Sequence, residues 1–153
     1  MNLYKINKSL TNFVSNENFD VPDVYECFCC LGESMMGRKI ILFSDVKDKD
    51  KMFFNKSQIH KEHASYIGSA REGYYAQEIM NIGEEERFLC VRGTANKRQD
   101  IADKIMAAFP KDISNFVFDL AYMDKGTFLI ELNELNLSSI NKKELEFVLS
   151  RIL

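Results

Sequence analysis

Four groups of acid, amide and guanidinium side chains, spaced along strand-like runs between Tyr74 and Ser139, have the chemistry of a metal and phosphate site. In order they are Gln77-Glu78, Glu85-Glu86-Arg87, Asp119 and Glu131-Leu132-Asn133. Asp119 and Glu131 stand inside apolar runs, residues 116–121 and 128–133. An ionised carboxylate in a buried strand is costly unless it is paired or bound to metal, so two on neighbouring strands predict a shared cation. Carboxylate and amide oxygens suit magnesium, which keeps several waters and takes its remaining ligands from a nucleotide's phosphates.

Local signals define the elements that must hold these residues. Asp124-Lys125-Gly126 predicts a hairpin between the two acid-bearing runs. Tyr74 to Ile82 and Arg87 to Arg92 read as a preceding antiparallel pair, with Gly83 opening the turn. Strand alternation puts Glu85, Arg87 and Leu89 on one face, with Glu86 and Phe88 on the other. Glu85 and Arg87 then either pair as a structural salt bridge or face a ligand together. Ile101, Ile105, Ala108 and Phe109 repeat at helical spacing within Lys97–Phe109, and Pro110 stops that helix. Asn141 to Glu144 is a capping-box pattern opening a last helix, whose apolar stripe of Leu145, Val148, Leu149 and Ile152 fits a core or a dimer contact.

The first half carries fewer signals. Residues 1–22 are polar and Asn-rich up to Pro22, and both a loose arm and a short helix are open. Tyr25–Leu31 and Lys39–Phe43 are rich in β-formers, which predicts a hairpin whose tip is Gly32 to Gly37. Alternating charge in residues 45–51 predicts an exposed turn entering a strand at Met52-Phe53-Phe54. His60 and His63 have helical i, i+3 spacing, in a helix that Gly68 would close; without a third ligand they read as surface histidines. Cys27, Cys29, Cys30 and Cys90 lack paired zinc spacing and read as reduced, buried small hydrophobes.

The chain has 153 residues, 46% of them apolar and 28% charged, which is enough for an ordinary packed core. A net charge of −3 with scattered basic residues gives no nucleic-acid footprint. Lys97-Arg98 and Arg92 read as a solvated turn or a spot for an acidic substrate. No apolar run approaches the roughly 20 residues of a membrane helix, and the N-terminus lacks a signal peptide's apolar core, so a cytoplasmic location is expected.

The order of these groups, a strand ending in Gln77-Glu78, then Glu85-x-Arg87, a helix, Asp119, a hairpin and Glu131-x-Asn133, resembles the C-terminal half of the ATP-grasp superfamily, particularly its short, often phage-borne members. The resemblance implies an α+β fold: an ATP-grasp-like antiparallel sheet with helices packed on one face, after an N-terminal arm or short helix (1–22) and within one compact domain (23–153). Residues 23–73 would form a reduced first subdomain and 74–153 the second. It further implies ATP and magnesium as cofactors, with Asp119, Glu131 and Asn133 holding the metal and Gln77, Glu78, Ile79 and Met80 forming the adenine-facing hinge. Glu85 would meet ribose or a phosphate-bound metal, and Arg87 the transferring phosphate. Lys39 and Lys51, with Lys56 third, are the candidates for a phosphate lysine. The loop between the first two β-rich runs is a plain hairpin or a cover for the phosphates.

The activity implied is ligation of a small-molecule or peptide carboxylate to an amine through an acyl phosphate. A missing preceding domain favours an alternative, a reduced, non-catalytic scaffold that binds a protein partner; a homodimer is also open.

Overall fold

The computed structural model describes residues 2–58 and 65–153. The chain is α+β, with two four-stranded sheets and, among the described residues, five α-helices. None of these helices is long and apolar enough to cross a membrane. Two compact units emerge. The first comprises Met1–Val21, Arg87–Asp119 and Leu132–Leu153, and the second Pro22–Glu86 and Leu120–Glu131.

In the first unit, residues 1–22 resolve in favour of a helix, α1 (Leu3–Asn16), started by Asn2, whose side chain accepts a hydrogen bond from the Lys5 amide at 2.8 Å. Phe13 of α1 is buried with Leu89, Val91, Val117, Leu135 and Val148 in one apolar cluster. Val148 belongs to α5 (Lys142–Ile152), and both bonds of its capping box are made: Asn141 accepts from the Glu144 amide at 2.8 Å, and Glu144 accepts from the Asn141 amide at 2.9 Å. Helix α4 (Gln99–Ala108) follows the sequence reading closely and buries Ile101, Ala102 and Ile105.

The second unit corrects the reading of the first half. Tyr25–Leu31 is helix α2 (Val24–Leu31), not a strand. Asp23 caps it by accepting from the Glu26 amide at 2.8 Å, and Val24 and Cys27 bury at helical spacing. A cap and a buried face override the β-propensity of Tyr, Phe and Cys. The expected hairpin tip is a single helical turn, α3 (Glu33–Met36), between Gly32 and Gly37 at φ 83° and 70°. Gly37 also has no room for a side chain, since a Cβ there would lie 2.5 Å from the Phe128 ring.

After α3 come β1 (Ile40–Ile41) and a 3-10 turn at Phe43–Asp45. Strands β2 (Met52–Ser57), β3 (Tyr66–Ser69) and β4 (Tyr74–Gln77) complete an antiparallel sheet of order β1-β4-β2-β3. Gly68 lies opposite Phe53 within β3, so it closes no helix. The His60 and His63 reading lies outside the described residues.

The second sheet holds β5 (Glu84–Val91), β6 (Thr94–Ala95), β7 (Phe116–Met123) and β8 (Gly126–Asn133) in the order β6-β5-β7-β8. The expected pairing of the Tyr74–Ile82 run with the Arg87–Arg92 run does not occur. β4 pairs with β1 and β2, and β5 pairs with β6 through a tight Arg92-Gly93 turn in which both residues have positive φ. Nor does β5 alternate in burial: Glu84 to Arg87 are exposed and Phe88 to Val91 are all buried. The β7–β8 hairpin at Asp124-Lys125 is as its turn residues predict.

Candidate functional site

Register in the first sheet builds a cavity wall. Gln77 lies opposite Phe54 and Ile40, and Phe54 lies opposite Ile67, so these side chains share one face of the sheet. Past Gln77 the chain leaves the sheet, and its loop returns over that face. The result is a cavity of about 350 Å³ lined by Arg38, Phe54, Ile67, Gln77, Glu78, Ile79, Met80, Ile82, Glu85 and Ile130. Four of the linings are large apolar side chains left open to solvent: Ile67 at 61%, Ile79 at 51%, Ile82 at 38% and Phe54 at 37%. Apolar walls with a few convergent polar groups are the usual make-up of a small-molecule site.

Those polar groups are unequal. Arg38 is buried and donates from Nε to Gln77 Oε1 at 3.0 Å, from Nη1 to the carbonyls of Met36 at 2.8 Å and Leu129 at 3.2 Å, and from Nη2 to the carbonyl of Ile130 at 2.7 Å. Burial pulls its pKa down to about 10, against the opposing fields of Glu131 and Cys27, so the guanidinium stays charged at neutral pH. Gln77 is buried beside it, and its amide nitrogen has no hydrogen-bond partner among the described residues. Glu78 is fixed by the Lys39 backbone, accepting its amide at the side chain at 3.1 Å and donating its own amide to the Lys39 carbonyl at 3.1 Å.

Five residues singled out from sequence order, Gln77, Glu78, Ile79, Met80 and Glu85, therefore line one cavity. Lys39 and Lys51 line another, of about 300 Å³, with Asp45, Asp48, Phe53 and Glu78. Lys51 also sits over the Phe53 ring, 5.4 Å from its centre. Lys56 forms an ion pair with Glu131.

Arg87 grips Asp119 with two parallel bonds, Nε to Oδ1 at 2.9 Å and Nη2 to Oδ2 at 3.2 Å. Asp119 and Asn133 belong to the first unit and Glu131 to the second. Carboxylate and amide oxygens match magnesium chemically, but each carboxylate here already holds a cationic side chain. A metal at either carboxylate would have to displace that side chain. Among the described residues, no three His, Cys, Asp or Glu side chains gather as a metal cluster.

The cysteines divide: Cys27 and Cys90 are buried as expected, whereas Cys29 is exposed and Cys30 half-buried, because α2 turns a helical rather than a pleated face to the core. Burial pushes the Cys90 thiol up to about 12, which leaves it protonated.

Arg38, Phe54, Ile67, Ile82 and Ile130 escaped the sequence reading. One legible sign was the density of large apolar residues in Gln77-Glu78-Ile79-Met80-Asn81-Ile82, a stretch that forms no element beyond Gln77. Nothing in the spacing around Arg38 marks it. No protein-family model, curated protein or solved structure matches this chain.

Proposed function

We propose that the chain binds an adenine nucleotide in the manner of an ATP-grasp domain and acts as an ATP- and magnesium-dependent carboxylate–amine ligase. The observation that carries the reading is the cavity: the residues assigned to the adenine hinge and to the ribose by their order in the chain line a single apolar slot. A purine would lie between the faces of Phe54, Ile79, Met80 and Ile130, with Glu85 near its ribose. In the ligase, a substrate carboxylate oxygen attacks the γ-phosphorus, ADP leaves, and an amine then displaces phosphate from the acyl phosphate. Magnesium, when bound, neutralises charge on the phosphates. In this reading Arg87 binds the transferring phosphate.

A second reading, a non-catalytic ATP-grasp scaffold that binds a protein partner, is favoured by one observation. Arg87–Asp119 and Lys56–Glu131 are closed ion pairs that satisfy both carboxylates without metal.

Thermal unfolding with ATP, ADP or a non-hydrolysable analogue tests nucleotide binding. Ligand at a hundredfold its Kd adds about 2.7 kcal/mol, a clear rise in Tm. No rise with any of them removes the nucleotide reading. ADP release in the presence of magnesium, pooled amino acids and short peptides then separates ligase from scaffold. In the ligase, Arg87→Lys lowers turnover on the order of a hundredfold with ATP affinity nearly kept, because lysine retains charge but loses the two-point fork. Binding without ADP release assigns the scaffold.

A further inference from the structure

The two most exposed large apolar side chains among the described residues are neighbours, Leu3 at 70% and Tyr4 at 73%, in the first turn of α1. Lys5 and Lys8 stand exposed beside them, and Lys8, four residues on from Tyr4, shares its face of the helix. Residues 2–16 hold these two lysines and no acid, in a chain whose net charge is −3. The next acid, Glu17, is already paired with Arg92. Helix α5, which packs against α1, carries Lys142, Lys143 and Arg151 against Glu144 and Glu146, so it does not cancel the excess. The core makes no use of the exposed pair. Its stripe on α1 is Leu10 and Phe13, with Ile6 half-buried one turn earlier. Leu3 and Tyr4 are successive residues, about 100° apart around the axis, so they form no i, i+3, i+4 row for a groove on a partner protein to read. Two adjacent apolar side chains among lysines and neutral Asn, Ser and Thr suit a bilayer surface instead. A leucine and a tyrosine ring settle at the boundary of headgroups and chains, and lysine stems lie along the apolar layer with their ammonium groups at the phosphates.

We infer that the first two turns of α1 dock on an anionic lipid surface, with Leu3 and Tyr4 inserted between headgroups and Lys5 and Lys8 at the phosphates. The inference goes beyond the nucleotide reading and does not depend on it. Attachment of this kind lies on the membrane without crossing it, and because half of it is charge attraction it weakens as salt is raised.

Co-sedimentation of the full chain with vesicles tests this, using phosphatidylcholine alone and an equimolar mixture of phosphatidylcholine and phosphatidylglycerol. The wild type should pellet with the mixture, stay in solution with phosphatidylcholine alone, and be released from the mixture by added salt. Lys5→Glu with Lys8→Glu, and separately Leu3→Ser with Tyr4→Ser, should each weaken partitioning on the order of tenfold or more. Both pairs should leave thermal unfolding in solution unchanged, since all four side chains are exposed. The chain has no tryptophan, so Tyr4→Trp supplies a single reporter at the contact, whose emission should move to the blue with the mixed vesicles and stay put with phosphatidylcholine. A wild type that does not pellet with the mixture overturns the inference. So does pelleting that neither double variant reduces, or that leaves the Trp emission unmoved, because the contact would then lie elsewhere on the chain. A dimer in size-exclusion chromatography that Leu3→Ser with Tyr4→Ser dissolves, without vesicle binding, would assign the face to a second copy of the chain and overturn it as well.

Discussion

Each unit contains an arginine joined to a buried amide, and the two are finished differently. In the first unit Asn115 accepts from the Arg92 backbone amide at 2.8 Å and donates to Glu17 at 3.2 Å and to the Asn18 carbonyl at 3.4 Å, while Arg92 Nε donates to Glu17 at 2.8 Å. Both ends of the Asn115 amide are committed to holding the Arg92 turn, whose φ is 51°. In the second unit Gln77 meets Arg38 with its oxygen and, among the described residues, nothing with its nitrogen. The apolar residues differ in the same way, with Phe13 sealed in its cluster while Ile79 stands half open on the cavity. A region that completes its bonds internally is organised for stability. The other unit has a buried donor without a partner among the described residues and apolar side chains open to solvent, which is what the proposed ligand site needs.

The sharpest break in that contrast comes from truncating one apolar side chain in each unit. Phe13→Ala should lose about 3–5 kcal/mol in denaturant unfolding, through lost burial and the void left behind. Ile79→Ala should stay within about 0.5 kcal/mol without ligand yet weaken nucleotide binding. A large loss at Ile79 in the empty protein would make the cavity a structural core.

Glu131→Gln comes next in size. Lys56, only 17% exposed, would face a neutral amide in place of a carboxylate. Between the values for exposed and buried ion pairs, a loss of about 1–2 kcal/mol without ligand is expected in thermal unfolding. A gain in stability would mean instead that the carboxylate is strained while it waits for a cation.

The smallest effect is a pH dependence in the first unit. Burial raises the Glu17 pKa, but hydrogen bonds from Arg92 and Asn115 and the Arg92 charge outweigh it and hold the carboxyl below its usual 4.5. A depressed carboxyl contributes stability above its unfolded pKa and loses it as pH falls through the lower folded value. Wild type minus Glu17→Gln should therefore show a difference of at most about 1 kcal/mol at pH 6 that shrinks as pH falls below 4.5. A difference that persists in acid would assign Glu17 a role in packing rather than charge.

By itself the sequence determined those parts whose signals lie within a few residues. The Asp124-Lys125 turn, the stop at Pro110, the Asn141–Glu144 box and the stripe in α4 are all settled by local backbone chemistry, and all stand as read. Gln77 to Met80 and Glu85 were named only through the family resemblance, and they line one opening. Only the tertiary structure decided that Tyr25–Leu31 is a helix and that β4 and β5 enter different sheets, because which face of a segment is buried depends on distant partners. It alone also set Arg38 beneath Gln77. The carbonyls that fix this arginine are contributed by Leu129 and Ile130, about ninety residues along the chain, and no local pattern encodes a separation of that length.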